Sequence, residues 1–206
     1  MDLKPVELPF GKTIYQTKYG QSVSSDVAFL LTEILEKEDN RPIKVLELGS
    51  GNGILSLMLA HYRNEFEITG IEIQPQLVEL AKKNLEIIGK SALFLEADLN
   101  EFFSPDKFAI ICCNPPFQKL GEGKISPHQE KVISRTESKT NMQAVFHSIS
   151  RNLDENGNAY LIYPQSRLSE AFLYIEKNGL ILIDQKTMSN HNKNVVFLQC
   201  QKRLKK

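Results

Sequence analysis

The sequence predicts an α/β protein: a mostly parallel sheet of seven strands, helices on both faces, and a closing antiparallel hairpin. Three observations predict it. Short apolar, β-branched runs alternate with longer helical stretches, the pattern of strands joined by crossover helices. No repeat or Gly/Ser/Pro-rich linker divides the 206 residues, a length that suits one α/β domain with a large core. After Gly179 the alternation stops, and two strand-like runs follow with only a polar loop between them.

Residues 1–40 read as an N-terminal extension ending in a first helix, Asp26–Lys37, for which Ser25 is an N-cap candidate. Strands are expected at Ile43–Leu48, Phe66–Ile71, Ala92–Leu95, Phe108–Cys113 and Asn158–Tyr163. Between them the helical pattern marks Ile54–Tyr62, Pro75–Ile88, Lys139–Asn152 and Ser166–Lys177. Pro75 suits a first helical turn, and Gly89 a cap just past a helix end. The last two runs, Leu180–Thr187 and Asn194–Gln201, form the hairpin around the polar MSNHNK loop. Residues 118–141 are a polar insert with five Lys or Arg against three Glu; Gly121 and Gly123 give it the composition of a lid.

Composition excludes several classes. Apolar residues are 41% and charged residues 24%, with no apolar run long enough to span a bilayer. The start, MDLKPVELPFGK, lacks the basic and apolar regions of a signal peptide, so a cytoplasmic protein is expected. Cys112, Cys113 and Cys200 have no zinc spacing; the adjacent pair reads as small core residues in a reducing compartment. The four histidines are scattered, so no metal is expected; His128 lies in the insert. Net charge is zero, yet Gln185–Lys206 holds six Lys or Arg and no acid, while Glu65–Asp106 is acid-rich. That asymmetry permits a phosphate-binding face, or merely a solubilising tail.

The first strand runs into Glu47-Leu48-Gly49-Ser50-Gly51-Asn52-Gly53 and then a helix. Glycines there let the backbone turn sharply and approach a ligand closely. The spacing is G-x-G-x-G, with Ile54 where a dinucleotide site has its third glycine. A turn of this kind suits an adenosine carrying an amino acid rather than a pyrophosphate. Glu72, at the end of the second strand, is placed to accept both ribose hydroxyls, with Ile73 beside it. Asp98, after the third, can accept from an adenine amino group while Leu99 packs beside the ring. Glu47 contacts the ligand or braces the loop.

The fourth strand ends in Asn114-Pro115-Pro116-Phe117. Two prolines fix an extended turn and remove two N–H donors, leaving the Asn114 side-chain oxygen and the Pro115 carbonyl as acceptors. An exocyclic amine is a poor nucleophile because its lone pair is delocalised into the ring. Two acceptors gripping its hydrogens draw the nitrogen toward tetrahedral geometry, and Phe117 can stack on the planar group.

These residues resemble motif I and its companions in class I, Rossmann-like methyltransferases that use S-adenosyl-L-methionine, and the resemblance spans almost the whole chain. Asn114–Phe117 resembles the N/D-P-P-Y/F signature of enzymes that methylate planar amino groups of nucleobases or glutamine amides. The resemblance implies Asn114, Pro115 and Phe117 as catalytic, and Gln21, Ser25, Glu47, Gly49, Gly51, Gly53, Glu72, Ile73, Asp98, Leu99 and Asn114 at the cofactor. Pro116, Phe117 and Arg135 would touch substrate. Phe117 stands where Tyr is more frequent, which removes a hydroxyl and keeps the stacking face.

Three segments are similar to bacterial tRNA(Val) adenine-N6 methyltransferases: Ser25-Asp26 entering the first helix, Arg135-Thr136-Glu137 in the insert, and Asn194–Phe197 before the basic tail. That likeness implies adenine N6 in tRNA as target. Arg135 would contact phosphate or stack on a base, or else pair with a neighbouring Glu. Ser25 is also explained by capping alone. Guanine-N2 rRNA enzymes and glutamine-N5 protein methyltransferases are the alternatives, and a non-catalytic RNA- or partner-binding module is a third. Gln118 in place of the usual His weakens the guanine reading, and the short N-terminal extension weakens the glutamine one. A monomer is the expectation.

Overall fold

The computed structural model describes residues 2–18, 24–115, 142–190 and 193–203. Strands are β1 (Leu3–Glu7), β2 (Thr13–Thr17), β3 (Ile43–Leu48), β4 (Phe66–Glu72), β5 (Leu93–Glu96), β6 (Phe108–Cys113), β7 (Leu153–Pro164), β8 (Leu180–Asn190) and β9 (Lys193–Lys202). Helices are α1 (Ser25–Lys37), α2 (Ile54–Tyr62), α3 (Pro75–Ile88), α4 (Met142–Asn152) and α5 (Leu168–Lys177). Seven strands form one sheet in the order β5-β4-β3-β6-β7-β9-β8. Strands β3 to β7 pair in parallel, whereas β9 is antiparallel to both β7 and β8. The winding runs outward from β3 to β5, then returns to β6 on the other side. The switch point of the winding therefore falls at the carboxyl ends of β3 and β6, where such sheets hold ligands.

Side chains alternate across each strand, so successive residues of β3 face opposite layers. Val45 joins a cluster with Leu30 and Ile34 of α1, Leu57 and Met58 of α2, and Val78 and Ala81 of α3. Leu46 and Leu48 join the opposite cluster with Phe146 and Ile149 of α4 and Ile175 of α5. Among the described helices, three thus cover one face and two the other. Each fully buried aliphatic chain, such as Leu57, stabilises the fold by roughly 1.5–3 kcal/mol.

Pro75 and Gly89 stand where the sequence put them: Pro75 opens α3, and Gly89 closes it at φ 67°. Cys112, Cys113 and Cys200 are buried free thiols. Several elements depart from expectation, among them β7, which begins at Leu153 and not at Asn158. The N-cap of α1 is Ser24, whose hydroxyl accepts the Val27 N–H at 3.4 Å; Ser25 is the first helical residue and donates to Asp26 Oδ1 at 3.5 Å. The last helix begins at Leu168, after a 3-10 turn over Gln165–Arg167. The closing strands extend into the MSNHNK segment, with Ser189 paired to Asn194. The N-terminal extension, to which the sequence reading assigns no strand, carries the β1–β2 hairpin.

That hairpin is a separate two-stranded sheet, marginal by itself. Docking holds it: Leu8 and Ile14 enter the core, and the Phe10 ring lies on His61 of α2, centroids 3.7 Å apart. No described helix is long and apolar enough to cross a membrane.

Candidate active site

Register brings the functional residues together. Leu48 pairs with Ile71 on one side and Cys113 on the other. Gly49, Glu72 and Asn114 therefore leave the sheet on three adjacent strands, about 5 Å from one to the next. Glu72 itself pairs with Glu96, which sends Asp98 out one strand further along.

The glycine turn has a left-handed residue at every second position: Gly49 at φ 70°, Gly51 at 56° and Gly53 at 86°. Only glycine takes that conformation without strain. The three have two different surroundings. A Cβ on Gly49 or Gly51 would meet nothing within 4 Å, so the turn faces open space there. A Cβ on Gly53 would come 2.9 Å from Phe94 Cζ and 3.1 Å from Ala81 Cβ, so this glycine is needed for internal packing. The Ser50 N–H donates to the Ile71 carbonyl at 2.9 Å, and the Gly53 N–H to the Ser50 carbonyl at 2.9 Å.

Glu72 is 7% exposed at the mouth of this turn. Its Oε2 accepts the Gly51 N–H and its Oε1 the Gln74 N–H, both at 3.0 Å. Burial pushes its carboxyl up, while the backbone N–H groups of Gln74, Gly51 and Ile73 pull it back. Oε1 also accepts Gln74 Nε2 at 3.4 Å, so the acceptor capacity left for a hydroxyl lies with Oε2. Asp98 is half-buried; its Oδ1 accepts the Asn100 N–H at 2.8 Å and Asn100 Nδ2 at 2.7 Å. Its Oδ2 accepts no hydrogen bond among the described residues. Leu99 is buried beside it in the α4–α5 cluster.

Glu47 points to the α1–α3 face and is buried at 5% exposure. Helix α2 starts at an N-cap, Gly53, that has no side chain to offer. The Glu47 carboxylate supplies the missing acceptor: Oε2 takes the Ser56 N–H at 3.1 Å and the Ser56 hydroxyl as well. A carboxylate is also favoured there by the helix dipole. Burial nevertheless pushes its carboxyl up to about 8, against those two Ser56 bonds, with the Glu72 charge adding to the rise. Of the two roles left open for Glu47, loop bracing is the one whose hydrogen bonds are displayed.

Asn114 follows β6 directly, and its Oδ1 is buried with no hydrogen-bond partner among the described residues. Orphaned acceptors of this kind are rare and call for an explanation. Pro115 beside it is buried. Pro116, Phe117, Gln21, Arg135 and the insert 118–141 lie outside the described residues, as does His128. Ser25 sits at the start of α1 in hydrogen bond with Asp26.

Three participants escaped the sequence reading: Ser56, which holds Glu47, Gln74, which holds Glu72, and Asn84 of α3. Asn84 had a signal. It falls on the stripe Leu77, Leu80, Ala81, Asn84, Ile88, where an apolar residue belongs, and it is completely buried.

Fold and strand-end geometry together define a Rossmann-like methyltransferase of the kind that uses S-adenosyl-L-methionine. Residues 22–165 match the methyltransferase small domain family, and the chain belongs to that family. Among curated relatives, the tRNA1(Val) (adenine(37)-N6)-methyltransferase of Porphyromonas gingivalis is 29% identical over 147 residues, covering 68% of this chain and 57% of its own. The enzyme of the same name from Vibrio parahaemolyticus is 28% identical, with 76% and 63% covered. The chain thus spans less than two thirds of the length of these relatives. The release factor glutamine methyltransferase of Escherichia coli is 31% identical over 93 residues, 45% of this chain and 34% of that one. Among solved structures, a methyltransferase from Pyrococcus furiosus superposes with TM-score 0.68 at 16% identity, covering 94% of this chain and 91% of that one. TYW2 of M. jannaschii, solved in complex with AdoMet, gives 0.65 at 14%, covering 97% and 86%. Both show the shared fold.

Proposed function

We propose that the chain transfers a methyl group from S-adenosyl-L-methionine to adenine N6 in tRNA. The observation that carries the amino-group chemistry is the buried, unpartnered Asn114 Oδ1 at the end of β6, one strand from the glycine turn. A buried acceptor left empty costs about 1–3 kcal/mol, and an N–H from the substrate recovers it.

The described residues fit the donor. Gly49 and Gly51 leave room over the turn. Glu72 Oε2 has acceptor capacity for a ribose hydroxyl, and Asp98 Oδ2 is available to an adenine amino group. When bound, the donor supplies an electrophilic methyl carbon on a positively charged sulfur. Asn114 Oδ1 and the Pro115 carbonyl accept the two amine hydrogens and orient the nitrogen lone pair. Phe117 stacks on the base. No base is needed before attack, because the proton leaves after the methyl has arrived.

Two features support tRNA as the target. The relatives that match over about two thirds of the chain are tRNA adenine-N6 enzymes by name, and the basic Gln185–Lys206 stretch suits phosphate. A base in an RNA loop is already partly unstacked and costs little to splay out. Arg135 would contact that RNA. The glutamine-amide reading is kept because of the release factor relative.

Labelled donor incubated with total RNA and total protein separates the readings. Label is expected in RNA, as N6-methyladenosine by nucleoside mass analysis, and Asn114→Ala should lower turnover about 10²–10³-fold with donor affinity kept. Label in guanosine or in glutamine would establish an alternative target. Donor binding with no label anywhere would mark a binding module.

A further inference from the structure

The glycine turn contains two peptide groups held at both ends. In the first, Ser50 C=O to Gly51 N–H, the carbonyl accepts from Gly53 and the N–H donates to Glu72 Oε2. In the second, Asn52 C=O to Gly53 N–H, the N–H donates to Ser50 at 2.9 Å and the carbonyl accepts from Asn84 Nδ2 at 3.1 Å. Asn84 therefore does for the second peptide what Glu72 does for the first. The peptide between them, Gly51 C=O to Asn52 N–H, has no described partner at either end and is free for a ligand.

Asn84 is completely buried and all its bonds are made inside the protein. Its second Nδ2 hydrogen goes to the Tyr15 carbonyl at 2.8 Å, and its Oδ1 accepts the Tyr15 N–H at 2.9 Å. Only one orientation of the amide satisfies the two carbonyls and the N–H together, so the side chain has no alternative setting. Tyr15 lies in β2, and its carbonyl also accepts Asn52 Nδ2 at 3.2 Å. The N-terminal hairpin is thereby fastened to the turn twice, through Asn84 of α3 and directly by the Asn52 side chain.

We infer that Asn84 is a positioning residue for the methyl donor: with the β1–β2 hairpin as its anchor, it holds the Asn52–Gly53 peptide so that the turn is set before the donor arrives. Pre-setting removes an ordering cost from binding. This rests on the reading that the donor sits on the glycine turn. Asn84 touches no substrate, so its effect is on donor affinity and not on the chemical step.

Calorimetry with S-adenosyl-L-methionine, with kinetics on the labelled RNA assay, tests it on the full chain. Asn84→Leu keeps the branched shape and removes the three hydrogen bonds; the smaller Asn84→Ser keeps one hydroxyl should the Leu variant not fold. Phe10→Ala is the control, since it loosens the hairpin tip on His61 and leaves every Asn84 bond in place. Donor Kd and KM should rise about tenfold in the Asn84 variants, the loss of one to two net hydrogen bonds, with kcat at saturating donor within about twofold. Phe10→Ala should lower thermal stability and leave donor Kd within about twofold. Unchanged donor affinity in the folded Asn84 variants overturns the inference alone, and so does an equal loss in Phe10→Ala, which would make hairpin docking in general the cause. A wild-type chain that binds no donor removes the functional reading and this inference with it.

Discussion

Glu47 makes a prediction that needs neither donor nor substrate. Its carboxyl is buried and raised from an ordinary 4.5 to about 8. The folded protein therefore holds that proton more tightly than the unfolded chain does. The stabilisation is full below pH 4.5 and is lost as pH rises toward 8, with a slope of up to about 1.4 kcal/mol per pH unit. Between pH 5 and 8 the folded state gives up about 3 kcal/mol through this one group. Glu47→Gln keeps a carbonyl to accept the Ser56 N–H and has nothing to ionise. Urea unfolding of both proteins at half-unit steps from pH 5 to 8 isolates the difference, since every other titrating group is common to the two. Wild-type stability should fall relative to the variant by that amount, which for a chain of this size is a shift of about 10 °C in Tm. Parallel pH profiles would refute the reasoning: they would mean that the α2 N-terminus and Ser56 keep Glu47 ionised despite its burial.

Glu72→Ala removes an acceptor from the donor site and the brace on the Gly51 N–H; donor affinity should fall by about 1–3 kcal/mol in calorimetry, and an unchanged Kd would sink the assignment. The turn glycines should separate. Gly53→Ala puts a Cβ at φ 86° against Phe94 and should cost at least about 2 kcal/mol of stability, read from urea midpoints. Gly51→Ala meets no neighbour and should cost only about 1–2 kcal/mol, yet its methyl projects into the open side of the turn and should abolish measurable donor binding.

Much of the fold was legible because its signals are local. The strand-to-glycine-turn junction at Leu48–Gly49, Pro75 opening a helix and Gly89 ending one each carry their geometry in one or two residues. The strand ends at Glu72, Asp98 and Asn114 were legible for the same reason, and register then set them side by side. What escaped depends on distant partners. The β1 strand contains Pro5 and alternates weakly, and it becomes a strand because Leu8, Ile14 and the Phe10–His61 stack dock it. Ser24 and Ser25 are equivalent on paper, and only backbone geometry selects Ser24 as the cap. Whether Glu47 faces a ligand or a helix end depends on Ser56 nine residues away. Asn84 signalled a buried polar group, while its partners, Tyr15 and Asn52, are separated from it by 69 and 32 positions.

The reversal of winding between β3 and β6 has a consequence for how such a protein can change. Glycine turn, Glu72 and Asp98 come from the β3–β5 side, whereas Asn114 and everything after it come from the other. Each set of residues comes off its own half of the sheet, and the halves join along one strand pair, β3 with β6. One half can drift toward a new acceptor molecule while the other keeps a fixed methyl source, and RNA-modifying and protein-modifying relatives that share this stretch are the outcome such independence allows.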